Sequence, residues 1–112
     1  MDQNQLEKIT VDYQKVQEQL QALSAQKEQF STQKDEYKQA KEQIEKATGK
    51  IYSAVGGAII ETTKEEALKE IQDKDELIDM RLSMLKKQID ELKKKDQELR
   101  EQITSALNES KK

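Results

Sequence analysis

Apolar residues recur along two long stretches of the chain with the seven-residue period of a coiled coil. In residues 64–108 they alternate in steps of three and four, which is typical of a coiled-coil helix rather than of an ordinary globular one. Thr63-Lys64-Glu65-Glu66 precedes this stretch and fits a capping box, which begins a helix. The pattern therefore predicts a helix over 64–108, with these seam residues: Leu68, Ile71, Asp75, Ile78, Leu82, Leu85, Ile89, Leu92, Asp96, Leu99, Ile103 and Ala106.

The first long stretch, residues 3–47, predicts a second helix with a less regular seam. One apolar column repeats by seven through Ile9, Val16, Leu23, Phe30, Tyr37 and Ile44. Its companion column begins with apolar residues and then changes to Lys27, Lys34 and Lys41. Either the buried stripe rotates toward Ala40 and Ala47, as helix drift allows, or the coil loosens and the lysine stems lie over the seam. A left-handed Gly49 is expected to end this helix.

Between the helices, residues 50–62 change character. Two short runs rich in β-branched residues flank Gly56-Gly57, and such a pair suits the two-residue turn of a β-hairpin, because that turn needs positive φ angles. The sequence therefore predicts a hairpin over 50–62. The alternative is a flexible glycine linker between two helices.

Two helical arms of equal length with a short connection favour folding back as an antiparallel pair. If the chain is mirrored about Gly56-Gly57, Asp75 on the second helix falls opposite Lys38, between Lys34 and Lys41. An acidic seam residue facing a basic stretch can set the register of a coiled coil. The other interpretation is that Asp75 is hydrated where the coil is open. The sequence leaves both open.

Composition limits the kind of core and the chemistry. Of the 112 residues 33% are hydrophobic and 38% are charged, whereas ordinary globular chains have roughly 45–50% and 25%. A thin coiled-coil seam fits this composition better than a large core. The chain has no Cys and no His, so a structural zinc site, a thiol nucleophile and a Ser-His-Asp triad are not expected. We therefore expect no enzyme activity, no metal and no cofactor.

Charge and hydropathy bear on partners and location. The net charge is -3 and the two signs are interspersed, so the segregated basic stripe of a nucleic-acid-binding protein is missing. No apolar run approaches the roughly 18 residues of a membrane span, and the first residues do not resemble a signal peptide. We expect no nucleic-acid or membrane partner and a cytoplasmic location.

The predicted hairpin should not remain alone. A two-stranded ribbon is marginally stable in water, its edges offer unpaired backbone groups, and one coiled coil cannot cover both of its faces. We therefore expect several hairpins to join in an oligomer through Ile51, Tyr52, Val55, Gly56, Gly57, Ile59 and Ile60. A short second apolar stripe, Leu77, Met80 and Met84, lies off the seam and is a further candidate contact surface.

These features together resemble a known family. Two coiled-coil arms flank Ile51-Tyr52-Ser53-Ala54-Val55-Gly56-Gly57-Ala58-Ile59-Ile60, and Thr63-Lys64-Glu65-Glu66-Ala67 follows. Over essentially the whole chain, taken as a single domain 1–112, this is similar to the β-type subunit of prefoldin, in its archaeal form. The space between the arms leaves room for one hairpin, as in β-type subunits, whereas α-type subunits carry two.

The resemblance implies a mostly α fold, a long antiparallel two-helix coiled coil whose hairpin joins an oligomeric β-barrel platform. It also implies a hexamer with an α-type subunit, two α and four β. Such a chaperone holds unfolded client proteins without ATP and delivers them to a group II chaperonin. The client-binding residues would be seam residues at the coil ends: Leu6, Ile9, Tyr13, Leu99, Ile103 and Leu107. The alternative function is a structural or tethering coiled-coil scaffold, which would have no need of the β-rich interruption.

Overall fold

A computed structural model of the chain describes residues 2–110. Its elements are helix α1 (Gln3–Lys46), strand β1 (Ile51–Val55), strand β2 (Ala58–Thr62) and helix α2 (Lys64–Ser110). The predicted fold class, two long helices with a short antiparallel hairpin between them, is confirmed. Backbone contacts divide the chain into two compact units. We call them the terminal unit, residues 2–27 and 84–110, and the hairpin unit, Glu28–Ser83.

The buried positions of α2 follow the predicted heptad spacing. Every predicted seam position is buried or half-buried, and outside the seam Ala67 alone joins them among the described side chains of this helix. The large buried side chains are Ile78, Leu85, Ile89 and Leu99, each exposed by 8% or less. A strict three-and-four spacing keeps the apolar residues on one helix face, and the partner helix covers only that face.

The seam of α1 rotates in the hairpin unit. Ala40 and Ala47 are half-buried there, whereas Lys41 is exposed. Of the two explanations for the lysine column, rotation of the buried stripe is therefore the one that holds at these positions. Lys34 remains half-buried, and its ammonium group is paired instead of free.

Lys34 makes the main polar contact across the helices of the hairpin unit. Its Nζ atom lies 3.1 Å from Asp75 Oδ1 and 2.6 Å from Asp79 Oδ1. The two carboxylates, Asp79 first, hold the pKa of Lys34 above its usual value. Asp75 therefore has a specific partner, and this partner is Lys34 rather than Lys38, which is exposed. Lys34 lies in the predicted lysine column of the seam and is half-buried, whereas Lys38 lies in neither seam column.

Side chains satisfy the backbone groups at both helix starts. The Gln5 amide donates to Asp2 Oδ1 at 2.8 Å and the Asp2 amide donates to Gln5 Oε1 at 3.1 Å, which is a reciprocal capping box. At α2 the Glu66 amide donates to the Thr63 hydroxyl at 3.1 Å. A capping box would pair the Glu66 carboxylate with the Thr63 amide, but this carboxylate accepts from the Thr62 hydroxyl at 3.0 Å instead.

The end of α1 is capped by a lysine of α2. The Lys64 ammonium donates to the carbonyl oxygen of Glu45 at 2.6 Å and lies 3.5 Å from that of Ala47. A cation is favoured at these unpaired carbonyls, where the helix dipole is negative. The expected left-handed Gly49 is wrong, because the glycines with positive φ are Gly56 and Gly57.

We predict that Asp75→Leu raises the melting temperature by about 3 °C. The leucine would lie on the seam beside Tyr37 and Ile71, which line the same groove. The substitution removes the ion pair between Lys34 and Asp75, and a pair of such exposed side chains contributes at most about 1 kcal/mol to stability. Lys34 would keep Asp79 as its partner. Thermal unfolding followed by circular dichroism measures the change.

The matched control is Asp79→Leu, which removes the other carboxylate at a position 54% exposed. It should not raise the melting temperature, because the new side chain would stay largely in water. A clear fall for Asp75→Leu would mean that its pair with Lys34 contributes more than the apolar seam contact does.

Candidate functional site

The hairpin is a regular antiparallel ribbon closed by Gly56-Gly57. The partners are Ile51 with Thr62, Tyr52 with Glu61, Ser53 with Ile60, Ala54 with Ile59 and Val55 with Ala58. The turn glycines have φ angles of 54° and 86°, both in the left-handed region that a two-residue hairpin turn of this kind needs. A flexible linker is thereby excluded, and the residues predicted for oligomerisation lie together on this ribbon.

One face of the ribbon is anchored at its base to the start of α2. Ile51, Ser53 and Thr62 share this face and are half-buried. The Ser53 hydroxyl donates to Glu70 Oε2 at 3.3 Å. Nearer the turn the same face is exposed, with Val55 at 56% and Ile60 at 50%. The ribbon is therefore attached at its base and open at its turn.

The other face of the ribbon is exposed along its length. Tyr52 is 58% exposed and Ile59 is 76% exposed, the largest value among the exposed large apolar residues. Within the described residues the sheet has two strands, so each strand has one edge without a strand neighbour. Exposed apolar side chains on both faces and two open edges are what a sheet shared between chains requires.

The terminal unit holds the residues predicted to contact clients, and they are not equally accessible. Leu6, Ile9, Tyr13 and Ile103 are half-buried. Leu99 is 8% exposed and forms part of the core.

Two apolar residues of the terminal unit differ from the sequence expectation. The placement of Leu107 on the seam is wrong, because it is 49% exposed and Ala106, at 9%, occupies that seam position. Val11, off the seam, is 47% exposed and carries no heptad signal that would have marked it.

Polar side chains interrupt the seam of the terminal unit at Asp96. Its side chain is 14% exposed, and it accepts a hydrogen bond from the Gln17 side-chain amide. Arg100 Nε lies 3.1 Å from Asp96 Oδ2 and donates to the Tyr13 hydroxyl at 3.2 Å. The hydrogen bond to Tyr13 and the charge of Asp96 raise the pKa of Arg100. The heptad places Asp96 on the seam but does not reveal these partners.

Off the seam of α2, further apolar side chains are exposed. Leu77 is 48% and Met80 is 65% exposed in the hairpin unit, and Met84 is 62% exposed in the terminal unit. The described residues include no group of three or more side chains placed to hold a metal ion. None of the helices, over the same residues, is both long and apolar enough to cross a membrane.

The sequence has relatives in one family. Residues 7–110 match the family model described as "Prefoldin subunit". The prefoldin subunit beta of Pyrococcus furiosus is 42% identical over 53 residues, 47% of this chain and 45% of that protein. The prefoldin subunit beta of Methanosarcina mazei is 38% identical over 54 residues, 48% of this chain and 46% of that protein. Each match spans about half of the relative's length.

Solved structures share the fold. The crystal structure of the prefoldin beta subunit from Thermococcus strain KS-1 superposes with a TM-score of 0.86 at 34% identity and covers 92% of both chains. The prefoldin beta2 subunit of the same strain has a TM-score of 0.53 at 24% identity, covering 86% of this chain and 97% of that one. The second likeness concerns the fold alone.

We predict that Gly57→Ala destabilises the hairpin by about 1–2 kcal/mol, because an alanine at its φ of 86° is strained. No atom lies within 4 Å of the added Cβ, so backbone strain is the whole effect. Amide exchange of the strand residues measures it. Gly49→Ala is the control, since Gly49 has open space and no positive φ, and it should leave exchange unchanged. Equal exchange in both variants would contradict the turn assignment.

Proposed function

This chain belongs to the prefoldin subunit family, a family of chaperones, and on that premise we propose that it is a β-type subunit of an ATP-independent holdase. It would bind unfolded polypeptides at the ends of its coil and deliver them to a group II chaperonin. Its partners would be an α-type subunit, client proteins and that chaperonin, in the cytoplasm. The observation that carries the proposal is the hairpin with exposed apolar side chains on both faces.

The hairpin supports the proposed assembly. Tyr52 and Ile59 on one face, and Val55 and Ile60 on the other, are each at least half exposed, so the helices of the same chain leave both faces largely uncovered. Strands from neighbouring subunits would pair with the open edges, and closure into a barrel would remove every edge. Two α-type and four β-type subunits would then share one platform.

The terminal unit supports the proposed client binding. Its end seam residues Leu6, Ile9 and Ile103 are half-buried, and terminal helix turns open more easily than internal ones. An opened end offers a flexible apolar surface, and such a surface suits a client that is itself unfolded. Several subunits on one platform would add weak contacts through effective concentration. Tyr13, Leu99 and Leu107 complete the proposed set.

The assembly experiment is native mass by light scattering, for the chain alone and mixed with an archaeal α-type prefoldin subunit. We expect a hexamer on mixing, and we expect Ile59→Lys to prevent it because a buried lysine in the platform would be unpaired. Val11→Lys, at an exposed position of the terminal unit, is the matched control and should assemble. A stable dimer that ignores the α-type subunit would support the tethering scaffold instead.

The client experiment uses the assembled protein and the aggregation of reduced insulin, followed by light scattering. The double variant Ile9→Ser and Ile103→Ser should hold insulin several-fold less well while the assembly persists, because it removes apolar surface at the coil ends. Leu23→Ser, half-buried on the seam further from the termini, is the control and should hold insulin like the wild type. Full activity of the double variant would contradict client binding at the ends.

A further inference from the structure

The chain contains two arginines, Arg81 and Arg100, and each lies over an aromatic ring of α1. The Arg81 guanidinium carbon is 5.8 Å from the centre of the Phe30 ring in the hairpin unit. The Arg100 guanidinium carbon is 6.0 Å from the centre of the Tyr13 ring in the terminal unit. A flat guanidinium stacks on a ring in a way that an ammonium does not, which gives a physical reason for arginine in a coil otherwise rich in lysine.

The two contacts differ in what surrounds them. Arg100 also pairs with Asp96, the seam carboxylate that Gln17 contacts from α1. Tyr13, Gln17, Asp96 and Arg100 therefore form one connected polar cluster across the two helices, which we call the end clamp. Phe30 has no hydroxyl, so its contact with Arg81 cannot include the hydrogen bond that Tyr13 accepts.

The end clamp lies beside buried seam residues of the terminal unit. Next to it are Val16, at 2% exposure, and Leu99, at 8%. Between the clamp and the ends of the helices, Leu6, Ile9 and Ile103 are half-buried and Ala106 is 9% exposed. Opening of the helix pair that starts at the ends would thus reach Tyr13 and Arg100 before it reached Val16 and Leu99.

We propose that Arg100 is a positioning residue that stops fraying at the end clamp and thereby sets how much apolar seam is offered to a client. This inference rests on the proposed client binding at the coil ends. In the closed state Arg100 and Gln17 satisfy a carboxylate that is almost excluded from water. Without Arg100 that carboxylate loses a charged donor, so the closed state weakens and opening extends past Tyr13 toward Val16 and Leu99.

The first test is amide hydrogen exchange on the whole chain, comparing Arg100→Gln with Arg81→Gln. Both changes remove one positive charge and one contact between arginine and an aromatic ring. Arg100→Gln should lower protection over residues 10–16 and 97–103 by about fivefold, the upper end for a partly exposed ion pair. Arg81→Gln should leave these segments as they are in the wild type. Unchanged protection in Arg100→Gln would overturn the inference.

The second test is suppression of insulin aggregation by the assembled variants. Arg100→Gln should reach half-suppression at a several-fold lower concentration than the wild type and Arg81→Gln, because more of the seam opens. Unchanged suppression despite faster exchange would overturn the link between the end clamp and client binding. A failure of the proposed function has a different signature, namely full suppression by the Ile9→Ser and Ile103→Ser variant.

Discussion

The constraint on which the rest of the structure depends is that two helices can bury only one stripe of each other. The chain matches this limit with 33% hydrophobic and 38% charged residues, enough apolar side chains for a narrow seam and too few for a layered core. Even the seam is shallow, because among the described residues of α1 Val16 alone is buried. Any further apolar side chain must remain exposed or be covered by another chain.

Because of this constraint, the hairpin has apolar side chains that its own chain leaves uncovered. Its apolar residues lie on two opposite faces, and the start of α2 covers only the base of one. The contacts at that base are both polar and apolar: Ser53 donates to Glu70, and Ile51 is half-buried in a groove that Ala67 and Ile71 of α2 also line. This anchor covers Ile51 and leaves Tyr52, Val55, Ile59 and Ile60 exposed. An exposed, oriented ribbon is consequently available for pairing with other subunits.

Periodicity predicted most of the fold because, in a coiled coil, the position of a residue in the heptad largely determines whether its side chain is buried. Each seam residue of α2 could be assigned from spacing, and Gly56-Gly57 marked the turn. The errors arose where spacing along one helix does not determine which side chain of another element it contacts. The partner of Asp75 is Lys34, a seam residue, rather than Lys38, which simple mirroring of the chain placed opposite it, and a side chain from α2, Lys64, caps the helix that Gly49 was expected to end. The end clamp was missed for the same reason, since its contacts join residues far apart in sequence.

The polar seam positions give the thin coil its internal differences in stability. A uniformly apolar seam would resist opening everywhere, and a uniformly weak one would not hold the hairpin in place. Asp75 and Asp96 each interrupt the seam, and each is matched by side chains from the facing helix within its own unit. Asp75 is half-exposed, whereas Asp96 is nearly buried, so the cost of leaving Asp96 without partners is the larger one. The mostly buried carboxylate is also the one closer to the chain ends, where opening begins. On the proposed role of the end clamp, local stability would therefore differ between the two sides of Asp96 within one continuous helix.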